Sequence, residues 1–159
     1  MMKKQPNSQM CFACGLGNPI GLKMAFYEDG EGRVVAKFTP RPEHQGYPGT
    51  MHGGIVTALL DETLGRVAIA AGRWMVTGRL NIRFRRPIPL TETLTVVGEP
   101  LKWQKRALEA RGEIRLADGQ VGAEATGTFL EIPPDQIEGM EEALTFWRVV
   151  ADADGETGG

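Results

Sequence analysis

The chain has 159 residues, of which 42% are hydrophobic and 24% are charged, and its formal net charge is −2. This composition predicts one globular domain with its own hydrophobic core, and the slight acidic excess argues against nucleic acid as the main partner. The N-terminal MMKKQPNSQM lacks the apolar run of a signal peptide, and charged residues interrupt the longest apolar stretch too early for a membrane span. We therefore expect a cytoplasmic protein without membrane association.

Two cysteines, Cys11 and Cys14, form a single CFAC motif near the N-terminus. A zinc site would need two further ligands, and the chain has only two histidines, His44 and His52. This ligand count favours free thiols that pack in a reducing compartment, with no metal and no cofactor. A structural zinc site and a redox pair remain open as alternatives.

Two strands are predicted before residue 40, over residues 22–27 and 33–39. The acidic and glycine-rich residues 28–32 between them predict a hairpin connection. Five prolines and glycines between residues 40 and 49 then predict an irregular loop that leads to His52.

The stretch from His52 to Gly72 predicts one helix of about five turns, because its apolar run is too long for a strand and contains no proline. Apolar side chains fall on nearly every side of the helical wheel. A helix of that kind is buried, and we expect the other elements to wrap around it.

Two adjacent acids on this helix, Asp61 and Glu62, point in different directions. Glu62 lies four residues before Arg66, which favours an ion pair at the surface. Asp61 has no base three or four residues away and shares its face with a stripe of small residues that includes Gly65. It is either a functional carboxylate poised by partial burial or an acid bonded to a backbone group under a loop.

The spacing of Gly53 and Asp61 constrains any reaction that uses both ends of the helix. Eight residues correspond to about 12 Å along a helix axis, so one carbonyl group cannot contact both positions on one chain. Two antiparallel copies of the helix across a two-fold axis would bring them together. The geometry therefore predicts a site shared between two chains.

Beyond the helix, period-two alternation predicts four further strands. They cover 79–85, 94–103, 108–116 and 120–132, with a tight Asp118-Gly119 turn before the last one. Pro133-Pro134 begins a predicted final helix that runs through Trp147 to Val150, and residues from Asp152 to Gly159 are expected to be disordered.

Consecutive strands without intervening helices predict an antiparallel sheet, and the fold class is α+β. A curled antiparallel sheet wrapped around one long central helix is the simplest packing. We divide the chain into an N-terminal extension (1–20), a central domain (21–133) and a C-terminal helix with a disordered tail (134–159).

Three stretches carry a family resemblance: CFACGLGNPIGL (11–22), HQGYPGTMHGGIVTALLDETLG (44–65) and MVTGRLNIRFRRPIPL (75–90). They resemble hotdog-fold acyl-CoA thioesterases of the phenylacetate-degradation type and their relatives in the thioesterase superfamily. The resemblance implies hydrolysis of an acyl-CoA thioester by a homodimer, often paired into a tetramer. We expect no cofactor and no nucleic-acid partner.

The resemblance also implies roles for single residues. The Gly53 N–H would polarise the thioester carbonyl, and Asp61 of the partner subunit would act as general base or nucleophile. Thr77 would position water, although an ordinary strand threonine is an equal alternative. Many relatives have an asparagine near the thioester where this chain has Gly46, so Gln45, His44 or no side chain takes its place.

The expected substrate-binding residues are His52, Gly54 and Gln45 around the helix N-terminus, together with the arginines Arg83, Arg85 and Arg86 for coenzyme A phosphates. Lys105 and Arg106 could add to that positive charge. A solvated strand face is the alternative for each arginine. A non-catalytic acyl-CoA binding or sensing protein and a hydratase or dehydratase are competing functions, because fold does not fix function.

Overall fold

The computed structural model describes residues 1–144 and 146–152. Its central element is helix α1, Gly53–Ala70, which confirms the predicted long helix. One side of α1 is fully packed, through residues that include Leu59, Leu60 and Leu64. The opposite side is only half-buried at Ala58, Asp61 and Gly65, so the expectation of a helix covered all round is wrong for this chain alone.

A seven-stranded antiparallel sheet wraps α1, as the alternating pattern predicts. In spatial order its strands are β1 (Lys3–Lys4), β3 (Tyr27–Glu28), β4 (Val34–Phe38), β6 (Leu94–Trp103), β7 (Ala107–Arg115), β8 (Val121–Glu131) and β5 (Met75–Phe84). A second, two-stranded sheet pairs β2, Asn7–Ser8, with β9, Trp147–Arg148.

The core lies between α1 and the concave face of the sheet. Leu94, Leu108 and Ile114 face it from the middle strands and are fully buried. The helix lies so close to β7 that a Cβ built on Gly112 would come within 2.5 Å of Leu64 Cδ1. Glycine at 112 therefore sets the distance at which α1 rests on the sheet.

Strand β5 forms one edge of the large sheet. It pairs with β8 only, among the described residues, and most of its side chains are exposed. Its register with β8 shifts between Thr77 and Arg79, at Gly78. Within the described part of the chain, its second backbone edge is free to accept another strand.

The predicted strand over residues 22–27 is wrong over most of its length, because only Tyr27 belongs to β3. The side chains of Leu22, Met24 and Phe26 are buried as a strand pattern requires. The backbone of this segment bonds to a loop, since the N–H groups of Leu22 and Met24 donate to the carbonyls of Phe12 and Ala13 (2.8 and 2.9 Å).

The predicted C-terminal helix is also wrong. The chain forms two single turns, α2 (Pro134–Ile137) and α3 (Met140–Ala143), separated by Gly139 at a φ of 79°. It then extends as β9. Asp152, expected to be disordered, accepts a 2.7 Å hydrogen bond from the hydroxyl of Tyr27, and the rest of the predicted disordered tail lies outside the described residues.

Candidate active site

Within the described residues, the N-terminus of α1 presents one backbone donor without an acceptor. His52 caps the helix, and its Nδ1 accepts a 2.8 Å hydrogen bond from the Gly54 N–H. The N–H groups of Ile55 and Val56 donate to the His52 carbonyl (3.0 and 3.1 Å). Among the described residues the Gly53 N–H has no acceptor, so it can donate to a ligand oxygen at the helix N-terminus.

Phe84 lies beside Gly53, a contact that the sequence does not indicate. A Cβ built on Gly53 would lie 3.6 Å from the Phe84 ring, and 55% of the Phe84 residue surface is exposed. Alternation puts Phe84 on the apolar face of β5, but nothing in the sequence indicates that this face ends at the start of α1. The ring forms an apolar wall next to the free N–H.

Asp61 and Thr77 form the second part of the site. Asp61 lies in the middle of α1 and is half-buried, and its Oδ1 accepts a 2.7 Å hydrogen bond from Thr77 Oγ1 at the start of β5. The partner of Asp61 is thus a side-chain hydroxyl group, and not a backbone group under a loop. A carboxylate held in this way keeps its second oxygen available.

One chain keeps the two parts of the site separate. Gly53 and Asp61 lie on the same helix, about 12 Å apart along its axis. The helix is unbroken between the two residues, so on this rise a substrate atom that contacts the Gly53 N–H cannot also contact the Asp61 carboxylate of the same chain.

The loop before α1 holds Gln45 and Gly46 against the helix cap. Gln45 is exposed and its Oε1 accepts a bond from the Gly49 N–H at 3.2 Å. A Cβ at position 46 would lie 3.0 Å from His52 Cα, so this backbone approach leaves little room for a larger side chain. His44 points inwards instead and is buried, with its Nδ1 accepting from the Arg41 N–H at 3.0 Å.

Glu62 and Arg66 form the predicted ion pair, but it does not lie on the surface. Arg66 Nε contacts Glu62 Oε1 at 3.0 Å, and Arg66 is only 2% exposed. The N-terminal segment covers the pair, since Arg66 Nη1 donates to the Pro6 carbonyl at 2.7 Å. Burial raises the pKa of the Glu62 carboxyl, and the nearby Arg66 opposes this rise. Spacing predicts the pairing, whereas only the folded N-terminal segment decides the burial.

Both cysteines are free thiols beside this ion pair. A hydrogen bond between them lowers the pKa of Cys14 to about 5 and raises that of Cys11, and Arg66 also lowers the pKa of Cys14. They line a cavity of about 360 Å³ together with Asp61, Glu62 and Thr77. Apolar side chains complete its wall, among them Ile69, Trp74, Met75, Phe129 and Trp147.

The three predicted phosphate-binding arginines do not share one surface with Gly53. Arg83 lines a groove of about 770 Å³ on the face of the sheet opposite to α1. Arg85 Nη2 is paired there with Glu124 at 2.6 Å. Arg86 is exposed at the end of β5, and its N–H donates to the Gly122 carbonyl at 3.1 Å. Strand alternation explains the separation, because Phe84 faces the helix between two outward-facing arginines.

Comparison with known proteins decides the family. The family model described as Thioesterase superfamily matches residues 48–123, which include the whole of α1 and β5. A protein of Saccharolobus solfataricus is 31% identical over 101 residues, and the chain covers 71% of it. The chain belongs to the thioesterase superfamily. Its sheet wrapped around one central helix is the hotdog fold, as the resemblance implied.

Proteins that are named as thioesterases match over more of the chain. The "Acyl-coenzyme A thioesterase THEM4" of Mus musculus is 33% identical over 136 residues, which are 85% of this chain and 57% of that protein. The chain spans about half the length of the curated relatives it matches. Among solved structures, the thioesterase superfamily protein RHA08564 matches with a TM-score of 0.72 at 33% identity, covering 76% of this chain and 60% of that one.

A more distant structure supports the fold alone. The E. coli PaaI protein of the phenylacetic acid degradation operon matches with a TM-score of 0.66 at 22% identity, covering 70% of this chain and 81% of that one.

In the part of this chain that the structure describes, no helix is long and apolar enough to cross a membrane.

Proposed function

We propose that this chain hydrolyses an acyl-CoA thioester to a free acid and coenzyme A, in a site built from two copies of the chain. The observation that carries the proposal is the pairing of Asp61 with Thr77 at 2.7 Å, on the wall of an apolar cavity. A held carboxylate beside space for an acyl group is the arrangement that activates water against a thioester carbonyl.

The Gly53 N–H is the proposed donor to the carbonyl oxygen. It lacks an acceptor among the described residues, and it lies where the helix dipole favours negative charge. As the carbonyl carbon becomes tetrahedral, its oxygen becomes anionic and this hydrogen bond strengthens. His52 supports the donor indirectly, because it binds the neighbouring Gly54 N–H and fixes the first turn of α1.

Asp61 of the partner subunit is the proposed general base. It takes a proton from water, the water oxygen bonds to the carbonyl carbon, and the tetrahedral intermediate collapses by breaking the carbon–sulfur bond. The coenzyme A thiolate leaves and is protonated. Direct attack by Asp61 on the carbonyl carbon, followed by hydrolysis of the anhydride, is the alternative route. In both routes Thr77 orients the carboxylate.

A homodimer through β5 would assemble this site. Strand β5 is a ten-residue edge with no second partner among the described residues, and an antiparallel copy would extend the sheet and bring two α1 helices side by side. The half-buried face of α1 with Ala58, Asp61 and Gly65 would then be covered by the partner. Pairing of two such dimers into a tetramer stays a prediction.

The arginines Arg83, Arg85 and Arg86 are the proposed contacts for coenzyme A phosphates, and His52, Gly54 and Gln45 would border the thioester. Arg85 is engaged with Glu124, whereas Arg83 and Arg86 are exposed and form no ion pair with another described residue. The acyl group would occupy the cavity beside Asp61. Its apolar wall suits a hydrocarbon or aromatic acyl group.

The relatives support acyl-CoA as the substrate class, and they support roles for Asp61 and Thr77. The THEM4 and THEM5 proteins are named acyl-coenzyme A thioesterases. A hypothetical thioesterase of Streptococcus pneumoniae, 26% identical with a TM-score of 0.62, is solved with coenzyme A, and the match covers 64% of this chain and 80% of that one. The same protein is solved with one aspartate and with one threonine replaced by alanine, sixteen positions apart, and Asp61 and Thr77 have that same separation.

The test is thiol release from a panel of acyl-CoAs that vary in chain length and aromatic character. The wild-type chain should turn over at least one of them, and Asp61→Asn, which keeps the shape and the Thr77 hydrogen bond, should lose about 10²-fold or more in kcat. Wild-type turnover by Asp61→Asn would exclude the assigned base. Acyl-CoA binding without thiol release from any substrate would identify a binding or sensing protein instead.

A further inference from the structure

The N-terminal CFAC motif meets Glu62 of α1 in the folded chain. One Sγ atom from each cysteine and one carboxylate oxygen of Glu62 all lie within 4.8 Å of one another. From the sequence, only the two histidines are considered as further zinc ligands, because the spacing of Glu62 and Arg66 predicts Glu62 at the surface. The tertiary structure supplies a third ligand that neither spacing nor composition indicates.

We propose that Cys11, Cys14 and Glu62 form a binding site for a thiophilic divalent cation, of which zinc is the expected one. The site lies in the wall of the cavity that Asp61 also lines. Thiolates and a carboxylate are all zinc ligands, and two cysteines separated by two residues are a common half of a zinc site. A tetrahedral ion with Zn–S bonds of about 2.3 Å needs sulfur atoms about 3.8 Å apart. The two sulfur atoms therefore need to approach each other by no more than about 1 Å.

The turn around the cysteines is built for close approach. The Gly15 N–H donates to the Cys11 carbonyl at 2.8 Å, and a Cβ at Gly15 would lie 2.4 Å from that carbonyl oxygen. Only glycine fits there, and the resulting tight turn directs both sulfur atoms towards α1. The Cys11 N–H donates to Ser8 Oγ at 3.3 Å, which also holds this turn in place.

A divalent cation bound to two thiolates leaves this cluster of charged groups neutral. The cluster then contains three negative charges, from two thiolates and Glu62, against zinc and the buried Arg66. Neutrality favours burial of all five groups. Arg66 Nε binds only one oxygen of Glu62, at 3.0 Å, so the carboxylate retains a lone pair for the metal.

The remaining coordination position would face the cavity, because the described residues contribute three ligands and all three line its wall. Ser8 Oγ lies 3.3 Å from Cys14 Sγ and orients that ligand. A bound ion would tie the N-terminal segment to α1 at the residue next to Asp61. Metal binding should therefore raise the melting temperature of the folded chain.

The experiment is a cobalt titration of the reduced, metal-stripped chain, followed by competition with zinc. One equivalent of Co²⁺ should produce a cobalt–thiolate charge-transfer absorption that zinc abolishes, and zinc should protect both cysteines from a thiol reagent. Cys11→Ser should lose most of the absorption, and Glu62→Gln should weaken cobalt binding by about tenfold or more. Glu109→Gln, on the exposed side of β7, is the matched control and should bind like wild type.

Cooperative thermal unfolding of each variant establishes that it is folded. If Cys11→Ser does not fold, Glu62→Gln decides, because it preserves the shape of the side chain. Absence of the cobalt–thiolate absorption in the reduced wild-type chain would overturn the proposal. So would equal cobalt affinity in wild type and Glu62→Gln, or a Cys11–Cys14 disulfide in a chain that binds no cobalt after reduction.

Discussion

A subunit-mixing experiment tests the shared site most directly. Gly53→Pro removes the proposed carbonyl donor and Asp61→Asn removes the proposed base. If each site takes Gly53 from one chain and Asp61 from the other, a mixed dimer contains one site with both defects and one site with neither. The activity lost in both parents should therefore return on mixing.

The structure makes Gly53→Pro a clean perturbation. Gly53 is the first residue of α1, a position where proline is tolerated because the N–H has no partner within the helix. His52 already has φ −60° and ψ 134°, which is the conformation that a residue before proline requires. Gly53→Ala is the matched control, since it keeps the N–H and its Cβ would meet the Phe84 ring at an ordinary 3.6 Å.

The expected magnitude follows from the geometry and from random exchange. Loss of one oxyanion donor lowers kcat by about 10²- to 10³-fold, and loss of a general base lowers it by about 10²- to 10⁴-fold. With equal amounts of the two parents, half of the dimers are mixed and each has one intact site of two. The mixture should reach about a quarter of wild-type specific activity, at least about twentyfold above either parent.

The assay is thiol release from the best acyl-CoA of the panel, measured before and after subunit exchange verified by native mass spectrometry. Asp61 and Thr77 bond to each other on one chain, so they belong to the same half of the site. Thr77→Val should therefore complement Gly53→Pro but not Asp61→Asn. A mixture of Gly53→Pro and Asp61→Asn that stays at parental activity despite verified mixed dimers would refute the shared site, as would a fully active monomer.

Three further predictions concern single residues. Thr77→Val should lower kcat because Asp61 loses its hydrogen-bond donor, whereas Thr77→Ser keeps the hydroxyl group and should keep kcat near the wild-type value. An unchanged kcat in Thr77→Val, or an equal loss of kcat in both variants, would contradict this role. Arg86→Ala should raise KM for acyl-CoA more than it lowers kcat, and added salt should do the same to wild type. Lys37→Ala, at an exposed position of β4 that does not line the groove of Arg83, should leave KM unchanged. Burial, and next the nearby Arg41, lower the pKa of His44, so its contribution to stability is fully present above about pH 6.5 and is lost as the pH falls through the lowered value. Urea unfolding between about pH 7.5 and pH 5.5 should show a steeper loss of stability in wild type than in His44→Gln, and equal slopes would exclude this contribution.

Local patterns in the sequence predicted most of the secondary structure. The apolar run predicts α1 because the hydrogen bonds of a helix join residues that are four positions apart in the sequence. Period-two alternation predicts β6, β7 and β8 because one face of each strand is buried. The strand over 22–27 and the C-terminal helix were predicted wrongly, because a local pattern does not show which group the backbone will bond to. Leu22 and Met24 donate to the loop at Phe12 and Ala13, and the C-terminal segment ends in β9, which pairs with β2.

The sequence predicts part of the candidate site and not the rest. The separation of Gly53 and Asp61 can be predicted from the sequence, because both residues lie on one helix and the helical rise fixes the distance between them. The contacts of Thr77 with Asp61, of Phe84 with Gly53 and of Glu62 with the cysteines join segments that only the folded sheet and N-terminal segment bring together. Periodicity specifies which face a side chain occupies, whereas the group it meets depends on packing between distant segments, and that packing alone decided the burial of Glu62 and Arg66.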